Sequence, residues 1–157
     1  MKKVFLYILV LAAVLMAPVR GNDVGKLRPV QVISLCRENG MCVIETDTED
    51  RGIGINGIAA LQNLKETTPA IIYLDTADFL LLGEGADPEL ESLRNKLKPG
   101  VKLCSTEEKI DLKQAAAYLR VHGNLPRLKV WKMNEKLPIL QHFEERLKIL
   151  KNYEKKG

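Results

Sequence analysis

The chain has 157 residues, with 24 lysine or arginine and 20 aspartate or glutamate, and it is 46% hydrophobic and 28% charged. These proportions suit one ordinary globular domain and exclude, over this length, both a wholly disordered chain and a multidomain enzyme. Removing residues 1–21, for the reason given next, leaves 21 basic and 20 acidic side chains.

Lys2 and Lys3 precede sixteen uncharged residues, Val4 to Val19, and Arg20-Gly21-Asn22 then opens a polar sequence. That layout predicts an export signal over residues 1–21. A spanning helix needs roughly 20 apolar residues, and this run is shorter and broken by Pro18, so cleavage at Gly21/Asn22 is favoured over a retained anchor. The remaining charge is uneven. Asn22 to Leu119 carries 11 basic and 16 acidic residues, whereas Arg120 to Gly157 carries 10 basic and 4 acidic. An acidic body with a basic tail can meet an anionic membrane or partner, or fold the tail back on the body. Nucleic acid is not an expected partner, because few aromatics remain and none is interleaved with basic residues to stack bases.

The first predicted element is a hairpin, Val30 to Arg37 and Met41 to Thr46, turned by Asn39-Gly40, two residues that tolerate positive φ. With a two-residue loop, Leu35 faces Ile44, Ile33 faces Thr46, and Cys36 and Cys42 fall opposite Val43 and Arg37, on opposite faces. A three-residue loop would instead pair Cys36 with Cys42 and permit a disulfide, but it sets Glu45 against Ile33 on the apolar side. With Cys104, the three cysteines are too few and too scattered for a disulfide scaffold or a metal site.

After a polar link over residues 47–51, Ile58, Leu61 and Leu64 predict a short amphipathic helix stopped by Thr67-Thr68-Pro69. Ala70 to Leu74 and Phe79 to Leu82 read as strands buried on both faces, separated by Asp75-Thr76-Ala77-Asp78. Asp87-Pro88-Glu89 starts a helix with Asp87 as its N-cap and Leu90, Leu93 and Leu97 as its stripe. Val101 to Cys104 is a strand. Asp111 to Gln114 fits a capping box for a helix running to Val121, with His122-Gly123 as its stop. Leu128 to Met133 reads as a last strand holding Trp131. Ile139, Phe143, Leu147 and Leu150 predict a closing basic amphipathic helix within residues 134–157, with Glu144 and Lys148 as an i,i+4 pair. The whole implies an α/β (α+β) domain over residues 22–133, a small mixed sheet opened by a hairpin with three to four packed helices.

Constellations that could carry chemistry are sparse. Gly52-Ile53-Gly54-Ile55-Asn56-Gly57 matches G-x-G-x-x-G, but Asp47, Glu49 and Asp50 precede it and would repel a pyrophosphate, so a loop needing glycine flexibility is the better reading. Leu74-Asp75-Thr76-Ala77-Asp78 is similar to the D-T-G turn of aspartic proteases without its glycine, and reads as a polar turn between strands. His122 and His142 lack a catalytic team. No cofactor or metal is implied, and an enzyme is not the expectation. The alternative is a small secreted enzyme or ligand-binding protein using Asp75, Asp78 and Glu84. Lys148, Lys151 and Lys155 could give weak contact with an anionic membrane, although acidic residues interrupt them and a solvated helix face explains them as well.

The hairpin, then Ala60-Leu61-x-x-Leu64, then Ile71-Ile72-Tyr73-Leu74, then Leu80-Leu81-Leu82-Gly83-Glu84, resembles the N-terminal domain of the Ger(x)C family, the C subunits of bacterial spore germinant receptors. The resemblance covers roughly Pro29 to Leu119. It departs from the family in having no cysteine before Cys36 and Ala77-Asp78 where members carry Gly-His. What it implies is a stand-alone version of one domain, a non-catalytic support for receptor subunits at the outer face of the membrane. Asp75, Asp78, Glu84, Lys148, Lys151 and Lys155 are the candidate contact residues.

Overall fold

The computed structural model describes Tyr7 and residues 27–133, 135–143 and 146–150. The predicted export signal, apart from Tyr7, therefore lies outside the described residues, as do Glu144, Lys151 and Lys155.

Strands β1 (Leu27–Pro29) and β5 (Ile71–Tyr73) form a two-stranded parallel sheet. The other strands are β2 (Val32–Glu38), β3 (Met41–Thr46), β4 (Arg51–Gly54), β6 (Phe79–Leu82), β7 (Lys102–Ser105), β8 (Ile139–Phe143) and β9 (Arg146–Leu150). Among the described residues they make one mixed sheet in the order β4-β3-β2-β6-β7-β8-β9. Its centre is parallel and both flanks are antiparallel hairpins. Helices α1 (Gly57–Thr67), α2 (Asp87–Leu93) and α3 (Leu112–His122) pack on it. The α/β (α+β) class read from the sequence is the one observed.

Alternation along the strands splits the core into two layers. On one face Ile33, Leu35, Ile44, Leu80, Leu82 and Leu103 meet Leu61 and Leu64 of α1, Leu90 and Leu93 of α2, and Trp131. On the other, Val32, Phe79, Leu81 and Cys104 meet Ala115 and Leu119 of α3 with Leu140 and Leu147 of the last hairpin. All four residues of β6 are buried, as expected of the strand at the centre. Glu89, a buried carboxylate, ties three elements together. One oxygen accepts from Arg37 Nη2 at 3.0 Å and the other from the Gly57 N–H at 2.7 Å, where α1 begins.

The opening hairpin has the predicted two-residue loop, with Asn39 at φ 51° and Gly40 at φ 80°. Cys36 accordingly stands opposite Val43 and Cys42 opposite Arg37, and all three cysteines are free. Asp111 caps α3, its Oδ1 accepting from the N–H groups of Lys113 and Gln114.

Several readings are corrected. Arg51, read as the end of the polar link, and Gly52 to Gly54, read as loop, are strand, and the glycines there serve close packing more than flexibility. A Cβ on Gly52 would come within 2.5 Å of Leu64 Cβ, and one on Gly54 within 2.5 Å of the Ala59 carbonyl carbon. Strand β5 buries only Ile72, because it pairs with β1 at the margin of the molecule and not in the large sheet. The N-cap of α2 is Ala86, whose carbonyl accepts from Leu90, so Asp87 and Pro88 fall inside the first turn. Leu128 to Met133 is not a strand: the chain makes one antiparallel bridge just before it, Arg127 to Lys102, then turns and buries Trp131 with its Nε1 donating to the Glu135 carbonyl.

The predicted closing helix is a hairpin over its described part, β8 and β9. The cause is the open side of β7. Its first half is met by the chain near Arg127, and its end is met by β8, where Ser105 N–H donates to the Pro138 carbonyl at 2.9 Å and Ser105 registers with Ile139. A helix there would leave that edge unpaired.

Candidate functional site

The carboxyl ends of β2, β6 and β7 lie side by side, and the chain leaves each through polar residues: Arg37-Glu38, Gly83-Glu84-Gly85 and Thr106-Glu107-Glu108. Crevices outside the carboxyl ends of parallel strands are the usual place for a ligand in open α/β sheets. A cleft of about 300 Å³ occupies this position, lined by Ser34, Cys36 and Leu81 from the strands, by Gly83 just after β6, by Glu38 and Glu45 from the hairpin, and by Thr106 to Ile110. An open groove continues from it past Glu84, Asp87 and Glu107. Gly83 makes the floor possible, since a Cβ there would lie 2.7 Å from Cys36 Cβ.

The cleft is acidic, and its carboxylates differ in company. Arg51 bonds Glu38 and reaches Glu45 at 3.2 Å, and Lys109 reaches Glu45 at 3.4 Å. Glu108 accepts from the backbone N–H of His142 and lies 3.1 Å from His142 Nδ1. The backbone hydrogen bond first, and the ring second, hold its carboxyl below the usual range. Glu84, Asp87 and Glu107 have no ion pair among the described residues.

The thiols are poor nucleophiles, because a thiol reacts as its thiolate. Burial, then the charges of Glu38 and Glu45, push the Cys36 thiol up. Burial also pushes Cys42 up to about 11 and Cys104 up to about 12. Of the histidines, His122 ends α3 against the Tyr118 ring, 4.6 Å between centroids, and His142 projects from β8 toward Glu108. Among the described residues no three His, Cys, Asp or Glu side chains converge as a metal site. The cleft sets one thiol against a carboxylate, Cys36 Sγ donating to Glu38 Oε1 at a long 4.0 Å, and the burial and acidic charge that raise this thiol keep it protonated and weak as a nucleophile.

The sequence-predicted acidic trio is not one site. Asp75 sits in a 3-10 turn and Asp78 pairs with Lys98 at 2.6 Å, both at the amino end of β6. Glu84 follows its carboxyl end, and four strand residues at ~3.3 Å each separate the two groups. Lys148 lies on β9 opposite Gln141, so it belongs to no helix face. Sequence reasoning missed Cys36, Gly83, Glu107 and Lys109 as neighbours, because they come from separate stretches that only the parallel pairing of β2, β6 and β7 brings together. The signal available was the polar turn ending each apolar run.

No protein-family model, no curated protein and no solved structure matches this chain, so no family, of enzymes or otherwise, is assigned by comparison. Among the described residues no helix is long and apolar enough to cross a membrane.

Proposed function

We propose that the chain is an exported, non-enzymatic domain working by protein contact at the outer face of the cytoplasmic membrane, accessory to a spore germinant receptor. The observation that carries the contact reading is the cleft. It is open, acid-lined and placed where α/β sheets receive ligands, yet it holds no activated nucleophile. Carboxylates along an open groove suit the basic side chains of a partner. The location and the receptor rest on the basic-apolar N-terminal pattern and on the resemblance of residues 29–119 to the Ger(x)C N-terminal domain. Separation of Glu84 from Asp75 and Asp78 takes away the shared carboxylate geometry that the alternative, a small secreted enzyme or ligand-binding protein, would use.

Affinity purification of the tagged chain from the spore inner-membrane fraction of the source organism tests this reading. Receptor subunits should co-purify, and mass spectrometry should find the chain's terminus at or near Asn22. Full-length chain confined to the cytoplasm, or a membrane-fraction preparation without receptor subunits, would overturn it.

A further inference from the structure

The two ends of the parallel strands are unlike: the carboxyl ends open on the acidic cleft, and the amino ends of β6 and β7 are basic and apolar. Printed contacts along the backbone join the segments that meet there. Asp78, just before β6, accepts from Lys98 Nζ at 2.6 Å, and its carbonyl accepts from the Lys102 N–H at the start of β7. The Lys129 N–H donates to the Pro99 carbonyl, Arg127 bridges Lys102, and Lys102 Nζ donates to the Gly123 carbonyl where α3 ends. Segment 94–101, the turn at 127–130 and the end of α3 therefore adjoin one another. Strand β5 joins them, because Leu74, the residue after it, shares a small apolar void with Lys96 and Leu97. Register shows what the β1–β5 sheet turns outward. Leu27 pairs with Ile71 and Pro29 with Tyr73, so these four share one face, while Ile72 is buried on the other and Arg28 there reaches Asp50.

Large apolar side chains reach water along this end. Ile71 is 39% exposed, Tyr73 46%, Val130 71% and Val121, in the last turn of α3, 75%. Val130 stands on a stiff turn, in which its own N–H and that of the buried Trp131 both donate to the Arg127 carbonyl at 3.0 Å. Among these groups Lys96, Arg127 and Lys129 are exposed and have no ion pair among the described residues. The acidic groups nearby are occupied. Asp78 pairs with Lys98, Asp50 with Arg28 and Glu49 with Lys113, and Asp47 accepts from the Gln31 N–H. Asp75 remains, against three unpaired cations. Exposed apolar side chains set among unpaired cations suit a bilayer with anionic headgroups, where the first enter the acyl boundary and the second meet the charge. A turn held rigid by a buried tryptophan gives up little conformational freedom on making that contact.

We propose that the amino end of the sheet, with Tyr73, Val121 and Val130 as its apolar contacts and Lys96, Arg127 and Lys129 as its cations, is the surface by which the protein sits on an anionic lipid bilayer. The proposal rests on the membrane-face part of the reading above and names the surface that makes that contact. It leaves the cleft, at the other ends of the same strands, facing away from the lipid and open to a partner. Export under that reading also presents this end to the bilayer, since only residues 20–26 separate Leu27 from the apolar run Val4 to Val19. The test uses the chain from Asn22, because no described residue before Leu27 contributes to the sheets or the core. It should co-sediment with vesicles of phosphatidylcholine and phosphatidylglycerol in equal parts, less so as salt is raised, and not with phosphatidylcholine alone. Val121→Ser with Val130→Ser, and separately Lys96→Glu with Lys129→Glu, should each weaken binding about tenfold or more with melting unchanged. Ile55→Ser and Lys109→Glu, at the carboxyl ends of the strands, should leave it intact.

No uptake by the anionic vesicles, equal uptake by both kinds, or uptake insensitive to either pair of substitutions would overturn the proposal. So would an equal loss in Ile55→Ser, which would make the binding a property of the whole surface. A dimer that Val121→Ser with Val130→Ser dissociates, in a chain that ignores vesicles, would give the surface to a second copy. Binding of a helical leucine and glutamate peptide in place of vesicles would give it to an acidic protein. The two readings fail separately. A cytoplasmic chain whose vesicle binding still depends on Val130 and Lys129 loses the proposed location and keeps the surface. Receptor subunits that co-purify from the membrane fraction with a chain that binds no vesicles leave the location standing and remove the surface.

Discussion

The three thiols show how far single-residue reasoning reaches. Asn39-Gly40 dictates a two-residue loop, the loop dictates the register, and the register sends Cys36 and Cys42 to opposite faces. Burial then governs their chemistry, because a thiolate loses more hydration than a thiol on entering an apolar site. Cys42 and Cys104 are fully buried in the two separate layers of the core. Their native pKa values, about 11 and about 12, lie above the unfolded value of 9.0. Below pH 9 both states keep the proton and the stability from burying neutral thiols is fully present. Above it the unfolded chain ionises first, so stability falls as pH rises from 9 toward the native values. Denaturant titration should therefore show the protein losing more stability between pH 8 and pH 10 than its Cys42→Ala, Cys104→Ala variant does. Iodoacetamide without reductant should label Cys36 first and the other two only on unfolding. A peptide spanning Cys36 and Cys42 two daltons light, or equal pH dependence in the variant, would contradict this account.

At the scale of elements, the glycines of residues 52–57 set the loop flexibility read from the sequence against the close packing seen in the fold. If they supplied loop flexibility, alanine would be tolerated at Gly54 about as well as elsewhere. In the fold, Gly54 lies in β4 with α1 directly against it, and a Cβ would fall 2.5 Å from the Ala59 carbonyl carbon and 2.8 Å from Ala59 Cβ. Those atoms belong to helix backbone and its first carbon, so they can yield only if α1 moves. Overpacking of this kind costs ~1–3 kcal/mol and more where backbone must shift. Gly40 is the contrast: it has φ +80° and nothing within 4 Å of a built Cβ. Alanine there meets only the left-handed penalty of ~1–2 kcal/mol. Urea denaturation should thus rank Gly54→Ala as the more destabilising, and the reverse order would restore the loop reading. Element by element, legibility followed locality. The hairpin, α1 and α3 were readable because Asn39-Gly40, the Leu61 and Leu64 spacing and the Asp111 cap are signals within a few residues. Strand β4 was not, because Arg51-Gly-Ile-Gly sets a single strand former between two glycines and owes its conformation to β3 and α1. The cleft was legible only as isolated polar turns, since no spacing along the chain brings Cys36 to Gly83 and Glu107.

For the whole molecule, the largest departure from the sequence reading is also the most consequential. Ile139, Phe143, Leu147 and Leu150 satisfy helical spacing, and a helix would have been a detachable tail on a complete domain of residues 22–133. What decides otherwise is 34 residues away in sequence, at Ser105, where β7 ends without a second neighbour until Ile139 arrives. The hairpin completes the sheet edge and places Leu140 and Leu147 in the layer that holds Leu81, Cys104 and Leu119. It also ties its own outer strand to α3, where the Ile149 N–H donates to the Tyr118 hydroxyl at 3.3 Å. A chain ending at Pro138 would therefore expose part of a parallel central strand to water and lose two buried leucines, each worth roughly 1.5–3 kcal/mol of burial. Together those losses are comparable with the total stability of a domain of this size, ~5–15 kcal/mol. Such a chain should lose cooperative melting and aggregate through its open β7 edge. Leu140→Asp in the full chain should reproduce the loss of stability without removing backbone, since it sets an unpaired carboxylate in the same layer. If the shortened chain melts cooperatively within a few degrees of the full one, residues 139–150 are an appendage and the boundary at residue 133 was correct.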